Sequence, residues 1–185
     1  MKIESLEQSD VSVKYAKKAI ISTVDASFII ESGYVAVLNV EGDVIDFLGA
    51  GSEMVQVDSL VSHSFEVISN ELHVTKYDGG TVAVNETSTN SVSKEVLIQL
   101  PTEQRVSQAL FQLGMRYGGE TGDPTLIRFP RAINKGRIAQ YTNLNPNTVT
   151  KVLKKLQVEG VLYNTRREMH MNIIELELKV ASISQ

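Results

Sequence analysis

The chain has 185 residues, 42% hydrophobic and 22% charged, with a formal net charge of −4 and no cysteine. That is enough apolar sequence for one good core or two small ones, and too much for a disordered chain. The missing cysteines exclude disulfides, thiolate zinc sites, iron–sulfur clusters and cysteine nucleophiles. No apolar run reaches the roughly 18 residues of a membrane span, and the opening MKIESLEQSD lacks the apolar stretch of a secretory signal. The expectation is a soluble, cytoplasmic protein.

Short β-branched runs fill the first 84 residues: AIISTV (19–24), FII (28–30), YVAVLNV (34–40), DVIDFL (43–48), EMVQV (53–57), FEVIS (65–69), ELHVTKY (71–77) and TVAV (81–84). Turn signals separate them at Ser32-Gly33, Glu41-Gly42-Asp43, Gly49-Ala50-Gly51 and Asp78-Gly79-Gly80. Such spacing predicts an all-β sandwich or barrel. Residues 85–95 turn to Ser, Thr and Asn, as a linker or helix start does. The stretch Val92, Val96, Leu97 and Leu100 is then amphipathic until Pro101 stops it. It either packs on its own domain or forms a dimer helix, and the second reading is preferred.

A new helix is predicted from Thr102–Glu103 to Tyr117-Gly118-Gly119. Val106, Ala109, Leu110 and Leu113 form one apolar stripe at i, i+3, i+4, i+7. Residues 134–163 then read as two helices around a tight turn. Asn134 is placed to cap the first, over 135–142, with Ile138 and Ala139 facing inward. Asn143 suits a left-handed turn position, Leu144 fills the gap between the helices, and Asn145 caps the second, with Pro146 at its first position. In that helix Val149, Val152, Leu153 and Leu156 face the core. Asn147, Thr148, Lys151, Lys154 and Lys155, with Thr150 beside them, make a polar, positive face with no carboxylate before Glu159. A major groove accepts such a helix. Val161–Tyr163, the turn Asn164–Arg167 and a predicted apolar strand from Met171 to Leu178 form a hairpin, or wing, with two arginines at its tip.

Charge is divided to match. Residues 1–100 hold six lysines against fifteen carboxylates, a net −9, whereas residues 101–185 are net +5. Between 131 and 167 stand Arg131, Lys135, Arg137, Lys151, Lys154, Lys155, Arg166 and Arg167 against Glu159 alone. A charge run is usually a solvated face, but here it coincides with the helix pair and points to DNA.

At this point the chain resembles a family. RVSQALFQLGMRY (105–117), TLIRFP (125–130), GRIAQY (136–141) and TVTKVLKKLQVEGVL (148–162) are similar to the winged helix of the cyclic-AMP receptor protein/fumarate–nitrate regulator superfamily. FIIESGYVAVLNVEGDVIDFLGAGSEM (28–54) resembles that family's β-roll, and Phe47–Tyr77 resembles the PrfA-like branch. The resemblance implies an α+β fold: a cyclic-nucleotide-binding-like jelly roll or β-roll over 1–84, a linker and short dimer helix over 85–100, and a winged helix-turn-helix over 101–185. It implies a homodimeric transcription regulator on a palindromic promoter element, with double-stranded DNA as partner and RNA polymerase as a candidate further one.

The departures are specific. The family's nucleotide site uses a Gly-Glu pair and an Arg followed by a small hydroxyl residue. Here Gly51-Ser52-Glu53 has one residue inserted, and no arginine precedes Arg105. A lysine grips a cyclic phosphate poorly by comparison, so cyclic nucleotide is not expected as effector, and no effector is assigned. The recognition helix opens Asn145-Pro146-Asn147-Thr148 rather than Ser-Arg-Glu-Thr, so the family's operator is not carried over.

The expected DNA-binding residues are Arg137, Asn145, Asn147, Thr148, Thr150, Lys151, Lys154, Arg166 and Arg167. Asn147, Thr148, Thr150 and Lys151 are assigned to base edges, and Lys154, Arg137 and the two wing arginines to phosphates. Dimerisation falls to Val92, Val96, Leu97 and Leu100. Neither cofactor nor metal is expected: His63, His73 and His170 are scattered, Asp43 and Asp46 point to opposite faces of a strand, and no nucleophile, base and orienting group come together. An enzyme is therefore not expected. The rival readings are a protein-interaction module and a sensor for a small uncharged or peptide-like ligand, each with only secondary DNA binding.

Overall fold

The computed structural model describes residues 11–23, 27–55, 63–77, 92–165 and 168–181. The chain divides into two compact units, one of residues 1–42 and 47–85, the other of residues 43–46 and 86–185.

The strands before residue 85 are β1 (Val11–Ala16), β2 (Ile20–Ser22), β3 (Ser27–Ser32), β4 (Val35–Leu38), β5 (Val44–Leu48), β6 (Glu53–Met54), β7 (Ser64–Val67) and β8 (Glu71–Tyr77), all of the first unit except residues 44–46 of β5. They form two four-stranded sheets, ordered β1-β8-β3-β6 and β2-β7-β4-β5. The pairings of β1, β3, β6 and β8, and those of β7 with β2 and β4, are all antiparallel. Alternation selects the inward residues: Phe28 and Ile30 on β3, Phe65 and Val67 on β7, Leu72 and Val74 on β8 are buried while the strand residues between them are not. Phe47 and Met54 complete this core. Gly33 turns β3 into β4 at φ +99°, and a Cβ there would stand 2.6 Å from the Glu71 carbonyl oxygen, so only glycine fits. The expected strand 81–84 lies outside the described residues. Strand β1 is not marked by the turn-bounded runs of the sequence, and its register from Val11↔Lys76 to Ala16↔Glu71 makes it an edge partner of β8.

The second unit contains α1 (Lys94–Leu97), α2 (Thr102–Tyr117), β9 (Gly119–Glu120), β10 (Leu126–Arg128), α3 (Lys135–Thr142), α4 (Pro146–Val158), β11 (Leu162–Asn164), β12 (Met169–Asn172) and α5 (Ile173–Ala181). Its sheet runs β11-β12-β10-β9. Val106, Ala109, Leu110 and Leu113 of α2 are fully buried, as their spacing requires, with Ile133, Ile138, Val149, Leu156, Leu162, Met171 and Leu176 around them. Asp46 also belongs to this unit and accepts two hydrogen bonds from Arg116, at 2.8 and 3.1 Å.

Two expectations need correction. The strand predicted over Met171–Leu178 ends at Asn172, and Ile173–Ala181 is helix α5. The alternation Glu175-Leu176-Glu177-Leu178 imitates a strand, but Leu176 is buried while Leu178 is 60% exposed, so alternate residues do not share an apolar face. The stretch expected to form a dimer helix holds a single helical turn, Lys94–Leu97, within the described residues. Leu97 is fully buried in its own unit and is not available to a second chain, whereas Val96 is 54% exposed. Val92 and Leu100 are half-buried.

Candidate nucleic-acid interface

Helices α3 and α4 are started and stopped by local chemistry. The Asn134 side-chain oxygen accepts from the backbone N–H groups of Gly136 (2.9 Å) and Arg137 (3.2 Å), closing the first turn of α3. Asn143 then takes a left-handed φ of 51°. Its N–H donates to Gln140 O and the Leu144 N–H to Ala139 O, which satisfies carbonyls the helix would leave open. Two residues on, Asn145 Oδ1 accepts from Asn147 N at 2.8 Å, with Pro146 at the first helical position. Helix α4 ends with the same device as α3: Gly160 is left-handed at φ +74°, and the Gly160 and Val161 N–H groups donate to Gln157 O and Leu156 O.

The pair is also braced from α2. Arg105 donates from Nε and Nη2 to Leu100 O and from Nη1 to Thr142 O at 3.2 Å, placing a cation at the carbonyl end of α3. Tyr141 is buried on α3, and that burial, aided by the nearby Asp46 charge, pushes its phenol up to about 12, so it stays neutral.

On α4 the helical period sorts the side chains. Val149, Val152 and Leu156 are buried, and Leu153 is half-buried. Asn147, Lys151, Lys154 and Val158 are exposed along one outward stripe. Among the described residues, no carboxylate pairs with Lys151 or Lys154. Thr148 is half-buried at the edge of that stripe, and Thr150 donates its hydroxyl proton to Pro146 O at 2.8 Å, which leaves it only acceptor capacity. Asn145 spends its side-chain oxygen on the cap. Arg137 donates to Gln140 Oε1 at 3.0 Å.

Strands β11 and β12 pair from Leu162↔Met171 to Asn164↔Met169. The Thr165 N–H donates to Glu168 O at 2.9 Å, and the Glu168 N–H to Thr165 Oγ1, closing the hairpin. Arg131 donates to Glu168 Oε1 at 2.9 Å, at the turn end of the hairpin. Arg166 and Arg167 lie outside the described residues.

The structure therefore brings Asn147, Lys151 and Lys154 onto one open face, with Thr148 and Thr150 at its edges. Two members of the basic cluster are neutralised instead, Arg131 by Glu168 and Lys155 by Glu103 at 2.5 Å. Sequence reasoning misses Glu103, because it lies 52 positions away from Lys155 and only the packing of α2 on α4 brings them together. It also misses Val158, 89% exposed at the end of the outward stripe, which its spacing of four residues from Lys154 and seven from Lys151 could have found. The histidines stay apart: His73 is 3.6 Å from Glu71 and His170 is 3.7 Å from Glu168. Among the described residues no three potential ligands gather to hold a metal ion, and no helix is long and apolar enough to cross a membrane.

Residues 104–178 match the family model of the Crp-like helix-turn-helix domain. The C-terminal unit carries a Crp-like helix-turn-helix. In that domain α3 and α4 are the helix pair and β11–β12 the wing. The fold extends over nearly the whole chain in three solved structures. A cyclic nucleotide-binding domain containing protein from Listeria monocytogenes is 21% identical, with a TM-score of 0.70 over 89% of this chain and 90% of that one. FixK2 from Bradyrhizobium japonicum is 17% identical, with a TM-score of 0.67 over 91% and 96%. A CRP-family transcriptional regulator from Thermus thermophilus is 18% identical, with a TM-score of 0.65 over 94% and 98%. No curated protein sequence matches the chain. The Crp-like helix-turn-helix thus follows a β-sheet unit of the cyclic-nucleotide-binding-like kind, as the sequence resemblance implies.

Proposed function

We propose that this protein is a non-enzymatic, sequence-specific DNA-binding transcription regulator that acts as a homodimer on a palindromic element. The observation that carries this is the outward stripe of α4: an amide and two ammonium groups open to solvent on a helix held rigidly at both ends. Asn147 and Lys151 meet base edges, with Thr148 and Thr150 accepting beside them, while Lys154 and Arg137 meet phosphates. The wing adds Arg166 and Arg167 to the phosphate set. Dimerisation draws on exposed Val96 with Val92 and Leu100, and not on Leu97.

The regulator acts without cyclic nucleotide. The N-terminal unit has no arginine to grip a cyclic phosphate. At the loop nearest the family's phosphate site, the Gly51 and Ser52 N–H groups donate to the carbonyls of Ile30 and Gly49, so they are already spent within the fold.

The test is selection of bound sequences from a random duplex library at about 150 mM salt with no added ligand. Enrichment of an inverted repeat with half-sites about one helical turn apart is expected. Binding without enrichment that vanishes as salt rises would reject sequence reading, and an enriched single half-site would reject the dimer.

A further inference from the structure

Lys154 and Lys155 follow one another, but their ammonium groups do different things. Lys155 lies on the flank of α4 that also carries Glu159, one turn further on. Its Nζ donates to Glu103 Oε2 on α2 at 2.5 Å and stands 3.8 Å from Glu159 Oε1. Lys179 of α5 closes the figure, donating to Glu103 Oε1 at 2.8 Å and Glu159 Oε2 at 2.6 Å. Two carboxylates and two ammonium groups thus alternate in a closed, electrically neutral ring that joins α2, α4 and α5. Hydrogen bonds from Lys155 and Lys179 hold the Glu103 carboxyl below its usual range. Burial opposes the charge on Lys179, yet the hydrogen bonds to Glu103 and Glu159 together outweigh it and raise its pKa.

Partly exposed ion pairs add little to the stability of a fold, so the main consequence of this ring is where it puts charge. A lysine beside a recognition helix is ordinarily a phosphate ligand, and phosphate contacts set the sequence-independent part of affinity and its salt dependence. For Lys155 to reach a phosphate it must leave Glu103, and a carboxylate then stands uncompensated close to the DNA backbone.

Building on the DNA-binding reading above, we propose that Glu103, with Lys179 and Glu159, withholds Lys155 from the DNA backbone and so sets the number of phosphates that α4 engages. Glu103 is a positioning residue: it touches no nucleotide and acts through Lys155.

The experiment measures the affinity of the full chain for one duplex as a function of salt, for the wild type and five variants. Glu103→Gln releases Lys155, and its salt slope is expected to steepen by about one unit, with tighter binding at low salt and an affinity that falls about three- to fourfold further between 50 and 200 mM salt. Glu103→Gln combined with Lys155→Ala returns the slope to the wild-type value. Glu103→Asp keeps it there, and Glu177→Gln, the same charge change on the exposed side of α5, leaves it unaltered. Misfolding lowers affinity, so it cannot imitate the expected gain. Should Glu103→Gln not fold, Lys155→Ala alone decides, its slope expected to equal the wild type. The proposal is overturned by an unchanged slope in Glu103→Gln, by a steeper slope that survives in the double variant, or by a shallower slope in Lys155→Ala. A wild-type chain that binds no duplex even at low salt overturns the DNA-binding reading itself, a result distinct from each of these.

Discussion

The outward stripe of α4 and its flank carry the same kind of residue under opposite conditions. Lys151 and Lys154 stand in solvent with no carboxylate partner among the described residues, while Lys155 is shared between Glu103 and Glu159. Arg131, beside the turn of the wing, is held by Glu168 in the same way. A positive cluster read from sequence therefore overstates the charge offered to DNA. What decides is the angle around the helix, together with the elements packed beside it.

The largest effect separates the inner face of α4 from the outer one. Leu156 is fully buried, and Leu156→Ala should cost about 2–5 kcal/mol of unfolding free energy in denaturant titrations. Lys154→Ala should change stability by less than about 0.5 kcal/mol in the same titrations. Equal costs would break the division into core and interface faces.

Next comes base reading on the outer stripe. Substituting Asn147 or Lys151 should change the preferred base, because a good side-chain pairing with a base edge carries about 1–3 kcal/mol of discrimination. Repeating the library selection with each variant checks this. An unaltered consensus, with equal weakening on selected and random duplexes, would move these residues to the phosphate set.

Asn145→Ala removes a cap rather than a base reader. It should cost about 1 kcal/mol of stability, since the Asn147 N–H loses its acceptor. The selected consensus should stay the same, and a changed consensus would give Asn145 a role in base reading as well.

The smallest effect is the pH response of the ionic ring. A carboxyl whose folded pKa is depressed contributes stability above its unfolded value and loses that contribution as pH falls through the folded one. Glu103 is such a group. A raised lysine such as Lys179 contributes below its unfolded value and loses that contribution as pH rises through the folded one. The ring is thus complete around neutrality and fails at both extremes. On acidification below the ordinary carboxylate range, the wild type should lose under about 1 kcal/mol more than Glu103→Gln, because the side chains are partly exposed. Thermal unfolding across that range checks the sign. A steeper acid loss in the variant would contradict it.

Legibility in the sequence follows the range of the interaction. Asn134, Asn143, Asn145 and Pro146 are readable because caps and left-handed turns are settled within four residues, and α2 is readable because one stripe at helical spacing has one burial solution. The strands β2 to β8 are readable from alternation and turn residues. Helix α5 is not, since Leu176 and Leu178 alternate with glutamates as a strand does, and only packing shows that one is buried and the other is not. The neutralisation of Lys155 is equally hidden, for Glu103 reads locally as an ordinary acidic residue in a first helical turn. Val92, Val96, Leu97 and Leu100 look alike in sequence, but Leu97 turns into its own unit. That choice depends on α1 being one turn long.

The central claim is that the outer face of α4 lies against DNA, and the most direct measurement is the salt dependence of duplex affinity for Lys154→Ala beside Lys155→Ala. The account predicts that Lys154→Ala weakens binding about equally on selected and random duplexes and flattens the salt slope by roughly one unit, while Lys155→Ala leaves the slope where it was. An unchanged slope in Lys154→Ala would contradict the account, because it would take the outward stripe away from the phosphate backbone.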